Sequence, residues 1–357
     1  CFGAYWKVWR YQRRPQGCSL SGIYYFPVAY GTTVPELLGR GYCGGHVTLI
    51  FTIEDTNSDP VYQGSRGVGI CLEDGVEIIC RGKAGKGDLN VSFTDRVGDY
   101  RLYKDSLSLL SGGVPEVMEY DWEATVKLGL PTGQGFGMSA AGSVSFCNSI
   151  QRAIGIPYEE GHRRSLMIAH LVDRNRSSGL GDVTALSAGG VEIRKIPGSP
   201  FSGHLLENGP GESEGWTADA EIILVWNSEG GKHTSSYIDN PEWKGLISAA
   251  GSKNLENLSD KGWNGSRWGD ILVSSRKFSE ESGLSSEKIR SEVLRKCEEA
   301  MVKGGMSHSG VALLCMLGTS VAIVPNSLES GLAGVDQVRC VLDDYGLENI
   351  LTRIGDI

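Results

Sequence analysis

The chain has 357 residues, of which 40% are apolar and 22% charged. That is an ordinary globular composition, long enough for two cores. A net charge of −9 argues against a general binder of nucleic acid or anionic membrane. It leaves a bound nucleotide open, because local N–H groups, a lysine or Mg²⁺ can offset the field. The nine cysteines are odd in number, form no C-x-x-C and mostly sit in apolar runs. They read as free thiols of a reducing cytoplasm, not as a zinc or disulfide framework. No run of about 18 apolar residues suggests a membrane span.

Residues 1–40 begin without Met, are rich early on in Tyr, Trp and Arg, and show no period. They read as an extension of doubtful structure and not as a signal peptide, since no apolar core and small-residue cleavage site follow. His46 to Ile53 predicts a strand. Gly67–Cys71 and Gly75–Cys80 predict two short strands joined by a turn at Glu73-Asp74-Gly75. A polar, turn-rich stretch fills 81–100, and a mixed helical pattern 101–128. A helix follows Gly137, with Ala140, Val144, Cys147, Ile150 and Ile154 at helical spacing and Gly155 and Pro157 as its stop. A second helix spans about 158–175. Val191 to Ile196 alternates, with Val191 and Ile193 on one face and Glu192 and Arg194 on the other. Residues 197–218 are the best linker. A strand at Glu221–Trp226 opens the second half, followed by Gly230-Gly231-Lys232-His233-Thr234. Helices fill 241–303, a hairpin joins Val311–Leu317 to Val321–Val324, and a last helix lies near Leu328–Tyr345.

The segment Leu130-Pro131-Thr132-Gly133-Gln134-Gly135-Phe136-Gly137-Met138-Ser139-Ala140-Ala141-Gly142 is the most informative. Its glycines allow positive φ and close approach, so the backbone can wrap its N–H groups around phosphate oxygens. The helix behind it aims its N-terminal dipole at the same anion. Ser139, in the first turn, can reach a phosphate or Mg²⁺. The loop is no Walker A motif, since no G-K-[ST] closes it. A plain glycine turn before a core helix accounts for this pattern equally well. A second cluster shifts the balance. Leu166, Ala169, His170 and Asp173 share a helix face, so Asp173 lies along an apolar stripe and needs a donor or cation. Asp182 follows Gly179-Leu180-Gly181 at a tight turn. Two carboxylates near a phosphate loop suit phosphoryl transfer, one for the metal and one for the attacking hydroxyl. His162, His204, His233 and His308 show no metal spacing.

The order Gly137-Met138-Ser139-Ala140-Ala141, His170…Asp173, Gly179…Asp182…Gly189-Gly190 resembles the superfamily of galactokinase, homoserine kinase, mevalonate kinase and phosphomevalonate kinase. Within it the chain is most similar to the archaeal pantoate kinases. Gly45-His46-Val47-Thr48, Gly64 to Gly69, Gly189 to Arg194, Gly231-Lys232-His233-Thr234 and Met316-Leu317-Gly318-Thr319 extend the match over roughly residues 43–357. The resemblance implies an α+β fold of two domains, 41–200 with the phosphate loop and 217–357, with ATP bound between them. It implies transfer of the ATP γ-phosphoryl group to the C4 hydroxyl of pantoate, giving 4-phosphopantoate for coenzyme A synthesis. The phosphate-loop residues Gly133, Gln134, Gly135, Phe136, Gly137, Met138, Ser139 and Ala140 would bind ATP. Ser139 and Asp173 would hold Mg²⁺, although the family has glutamate where Asp173 stands. Asp182, with Ser139, would be catalytic. His46, Arg194 and, more weakly, Arg66 would bind the substrate. Lys232 and Thr234 could reach substrate or phosphate from the second domain. No nucleic-acid or membrane partner is implied, and pairing into a homodimer is left open. The alternatives are a related kinase acting on homoserine or mevalonate, and a non-catalytic nucleotide-binding regulator of the same fold.

Overall fold

In the computed structural model, residues 36–228, 234–259 and 262–355 are described. The stretch 1–35 and Gly231-Lys232-His233 lie outside them. The first strand, β1 (Leu37–Phe51), pairs antiparallel along β2 (Gly67–Ala84). β1 starts at Leu37, so the last residues of the expected extension are part of the sheet. β2 is one strand instead of the two expected. The turn signal at Glu73-Asp74-Gly75 is absorbed as an irregularity, where Gly44 faces Gly75 but His46 faces Cys71. Pairing on both sides overrides the local turn preference.

Next come β3 (Leu89–Phe93), α1 (Tyr100–Gly113) and β4 (Tyr120–Leu128). β4 replaces the second half of the expected helical stretch. Its Trp122, Ala124, Val126 and Leu128 are buried while Glu123, Thr125 and Lys127 between them are exposed, a period of two and not 3.6. α2 (Met138–Ala153) and α3 (Tyr158–Asn175) follow as expected. Ala140, Val144, Cys147 and Ile150 are all fully buried, as are Leu166, Ala169, His170 and Asp173 on α3 to within 3%. α2 is buried almost all round. Its serines meet that demand locally: Ser145 donates to the Val76 carbonyl (2.8 Å) and Ser149 to that of Phe146 (2.8 Å).

A short α4 (Asp182–Leu186) leads into β5 (Val191–Ile196). The expected linker is structured: the two-residue strands β6 (Phe201–Ser202) and β7 (Glu207–Asn208) pair, and β8 (Glu212–Trp216) adds to β5. The first sheet has six strands, in the order β3-β4-β2-β5-β8 with β1 on β2. The second half runs β9 (Glu221–Trp226), α5 (Ser235–Ile238), α6 (Pro241–Ser259), α7 (Trp268–Glu281), α8 (Lys288–Lys303), β10 (Gly310–Cys315), β11 (Ser320–Pro325), α9 (Val335–Asp344) and β12 (Glu348–Arg353). Its four strands order as β10-β11-β9-β12. β12 was not expected. It pairs with β9 in full register from Glu348↔Trp226 to Arg353↔Glu221. Among the described residues, no helix is long and apolar enough to cross a membrane.

Candidate functional site

The glycine loop between β4 and α2 takes the shape its sequence demands. Gly133, Gly135 and Gly137 have φ of 75°, 77° and 63°, a region that costs any residue with a Cβ about 1–2 kcal/mol. Gly137 caps α2, and no side chain caps the helix. The N–H groups of the first turn therefore have no capping side chain, an arrangement that suits an anion. A Cβ on Gly133 would meet nothing within 4 Å, so the loop opens into space on one side.

Its other side is pinned. A Cβ on Gly135 would lie 2.8 Å from the Gly318 nitrogen. Gln134 donates to the Asn227 carbonyl (2.9 Å) and accepts from Thr319 (3.1 Å), and Ser320 donates to the Gln134 carbonyl. Phe136 sets its ring edge against Trp226. The turn in contact with the loop is itself held by Arg290, which is buried and donates to the Gly318 (2.8 Å) and Leu317 (2.5 Å) carbonyls. The segment from Met316 to Ser320 is thus the buttress of the glycine loop.

Below the loop lies a cavity of ≈ 410 Å³. Gly133, Gly135, Gly137 and Ser139 form one wall, and Ser178 to Asp182 another. Asp99, Leu102, Tyr103 and Arg176 line it on the α1 side, and Thr234, Ile238, Met316 and Leu317 from the second half of the chain.

Two carboxylates flank Gly179, where an added Cβ would lie 2.8 Å from Asp173 Oδ2 and 3.2 Å from Asp182 Oδ2. Asp173, on α3, is buried. It accepts from Ser139 Oγ (2.6 Å) and Ser178 Oγ (2.7 Å). Burial pushes its carboxyl up, to about 6, and the Asp182 charge adds to this against the pull of the two hydroxyls. Asp182, the first residue of α4, keeps a quarter of its side chain exposed and faces the cavity. His46 Nδ1 lies 2.8 Å from its Oδ1. Burial would raise this carboxyl, but the His46 hydrogen bond and charge, with Arg194 behind, hold it below the ordinary value.

Three expected substrate contacts are placed otherwise. His46 has no exposed side-chain surface and lies between Asp182 and Glu192. Arg194 is equally buried, 3.3 Å from Glu192, and directs its Nη2 to the Ile50 carbonyl (3.3 Å). Arg194, expected to bind the substrate, does not reach the cavity. β5 lies inside the sheet between β2 and β8, and all four residues from Val191 to Arg194 are buried. Arg66 pairs with Glu54 (2.7 Å) and reaches Ser252 (3.2 Å). None of the three lines the cavity, whereas Thr48 and Ser65 do.

Some residues of the site escaped sequence reasoning. Ser178 shares Asp173 with Ser139, and its place just before Gly179 was the only signal. Arg176 lines the cavity while paired with Asp99 and Asp105, each at 2.5 Å. Glu192 was noticed only as the polar alternate of β5.

The residues present fit a nucleotide and its metal. The open N–H groups of the loop suit phosphate, and Ser139 and Asp173 offer hard oxygens side by side, the donor type that Mg²⁺ takes.

No family model matches the chain. Three curated proteins called pantoate kinase are similar in sequence. That of Methanospirillum hungatei is 28% identical over 278 residues, covering 77% of this chain and 86% of its own. That of Thermococcus kodakarensis is 25% identical over 267 residues (74% and 82%), and that of Methanocaldococcus jannaschii 25% over 281 (77% and 91%). Among solved structures, a phosphotransferase related to the CoA biosynthesis pathway superposes with a TM-score of 0.70 at 22% identity, over 90% of this chain and 97% of that one. Mevalonate kinase from Staphylococcus aureus gives 0.56 at 14% identity (89% and 99%). MDDEF in complex with MVAPP, AMPPCP and magnesium gives 0.61 at 11% (90% and 98%). The chain is therefore a distant sequence relative of the archaeal pantoate kinases, built on the α+β fold it shares with mevalonate kinase.

Proposed function

We infer that the protein is a pantoate kinase, transferring the γ-phosphoryl group of ATP to the C4 hydroxyl of pantoate. The observation that carries this reading is the meeting of Ser139, Asp173 and Asp182 around Gly179 at the foot of the phosphate loop. The loop N–H groups and the helix dipole would hold the phosphate chain and take up charge as it develops on the transferring group. Mg²⁺, held by Ser139 and Asp173, would supply further neutralisation of phosphate charge. A solved neighbour of the same fold that contains AMPPCP and magnesium supports this pairing.

Asp182 would accept the hydrogen bond of the substrate hydroxyl. As the hydroxyl oxygen bonds to the γ-phosphorus, the bond to the ADP oxygen breaks and the hydroxyl proton passes to Asp182. A carboxylate held below its ordinary pKa is a weak base, so its main contribution is to aim the nucleophile. That suffices for a loose transition state, in which proton transfer comes late. Thr48 and Ser65 add hydroxyls near Asp182, and Phe51, Leu180 and Ile238 add apolar surface to the same cavity. This mixture suits a short, methyl-branched hydroxy acid. The free cysteines among the described residues suit a reducing cytoplasm.

The test is a mass-spectrometric kinase assay with ATP and Mg²⁺, offering pantoate beside pantothenate, homoserine and mevalonate. Phosphopantoate as the dominant product is expected. Preference for another alcohol, or ATP binding with no product from any of them, overturns the assignment.

A further inference from the structure

Strand alternation would send Glu192 and Arg194 to solvent, yet neither side chain has exposed surface. Burying charges costs several kcal/mol each unless they are paired. Here the pairing runs as a chain across three elements. Asp182 Oδ1 lies 2.8 Å from His46 Nδ1, His46 Nε2 lies 3.0 Å from Glu192 Oε1, and Arg194 Nη1 lies 3.3 Å from the same oxygen. Arg194 also reaches back to the Gly181 carbonyl at 3.5 Å, beside Asp182.

Space for the chain is built into β2. Gly69 stands opposite Glu192, and Gly67 opposite Arg194. A Cβ on Gly69 would lie 2.2 Å from His46 Nε2 and 2.7 Å from Glu192 Oε1, and one on Gly67 would lie 2.1 Å from Arg194 Nη2. Any larger residue at either position would collide with the charged groups.

Both partners of the ring are carboxylates, which accept but do not donate when ionised. A neutral imidazole has one N–H and can satisfy one of them. Only the imidazolium satisfies both, and it makes the four-group chain neutral. The groups facing His46 are Asp182 from α4, Glu192 from β5, the Thr48 hydroxyl at 3.5 Å on its own strand, and its cross-strand partner Cys71 on β2. Among these the two carboxyl groups are the ones within 3.0 Å of the ring nitrogens.

We propose that Glu192 is a positioning residue for phosphoryl transfer, holding His46 as the doubly donating imidazolium that fixes Asp182 toward the cavity. This rests on the reading of Asp182 as the group that meets the substrate hydroxyl. Glu192 touches neither substrate nor nucleotide, and acts only through the ring. Its second oxygen, Oε2, has no hydrogen-bond partner among the described residues, so Oε1 carries both the ring and the guanidinium.

The first test needs no substrate. In ¹⁵N-labelled wild-type protein at pH 7.5, two-bond ¹H–¹⁵N spectra should show both ring nitrogens of His46 protonated, assigned by loss of the signal in His46→Gln. In Glu192→Gln one ring nitrogen should lose its proton. The second test is steady-state kinetics on whichever alcohol the wild type phosphorylates. Glu192→Gln should lower kcat about tenfold to a hundredfold, the range for partners that orient a functional group, with the KM for ATP within twofold. Glu192→Asp should recover part of the loss. A singly protonated His46 in the wild type overturns the proposal, even if no Glu192 variant folds. So does a folded Glu192→Gln with wild-type kcat. Absence of pantoate turnover in the wild type would overturn the substrate assignment and leave the ring measurement to decide this proposal.

Discussion

Asp173 and Asp182 sit on either side of one glycine, yet their carboxyls move in opposite directions. Asp173 is buried and meets two neutral hydroxyls, and its pKa rises to about 6. Asp182 opens to the cavity and meets an imidazole backed by a guanidinium, and its pKa falls. The difference lies in the partners. Hydroxyls satisfy oxygens without supplying charge, so on the proposed reading Asp173 is the one that would gain from a cation. Asp182 already has its counter-charge, and on the same reading it would take the substrate hydroxyl. Pairs of acids whose environments push them apart are the ordinary way in which one site separates two roles.

The sharpest way to break this comparison is Asp182→Asn. Turnover should fall by about two to four orders of magnitude, the range for loss of a positioned base, with the KM for ATP nearly unchanged. Turnover near wild type in a folded variant would end the assignment. Asp173→Ala should act on the other side. Half-saturation by Mg²⁺ should rise tenfold or more, the lower end of the cost of losing a group that sets metal affinity, while kcat at saturating Mg²⁺ recovers in large part. An unchanged Mg²⁺ titration would make Asp173 structural only.

A third variant leaves both acids alone. Gly135→Ala places a Cβ at φ 77° and 2.8 Å from the Gly318 nitrogen. It should raise the KM for ATP by about tenfold, equivalent to ~1.4 kcal/mol, with a much smaller change in the KM for the acceptor. An equal rise in both would deny the loop a specific nucleotide role.

The smallest effect isolates burial from charge. His170, one turn before Asp173 on α3, donates from Nε2 to the Pro60 carbonyl (2.9 Å) and is depressed to about 4, chiefly by burial. A histidine whose folded pKa lies below its unfolded value of about 6.5 contributes its full stability above that value. The contribution is lost as pH falls from there toward 4. Urea unfolding should therefore show about 1.5–2 kcal/mol less stability at pH 5 than at pH 7 from this group alone. The corresponding difference should shrink in His170→Gln. An unchanged difference would place the pH sensitivity elsewhere.

The readable parts were those whose meaning is local. The loop glycines, the helical spacing of Ala140 to Ile150 and the stripe ending at Asp173 each fit within a few turns of chain. β4 was missed although Trp122, Ala124, Val126 and Leu128 alternate, because that pattern runs on from the helix before it and 101–128 reads as one helical stretch. The burial of Glu192 and Arg194 was not legible, because alternation separates the two faces of a strand without saying what covers each, and both faces of β5 are covered from Val191 to Arg194. His46 and Glu192 are 146 positions apart. Their meeting depends on sheet order and on the room left by Gly67 and Gly69, which no window of sequence contains.

The contact between Gly135 and Gly318, stitched by Gln134, Thr319 and Ser320, bears on how the molecule melts. The loop takes its shape partly from the second sheet, so loosening either sheet would also disturb the loop. Calorimetry should record a single heat-capacity peak spanning both sheets, and a nucleotide gripped by a few backbone amides should shift that whole peak upward. The seam makes ligand affinity and global cooperativity two readings of one set of bonds.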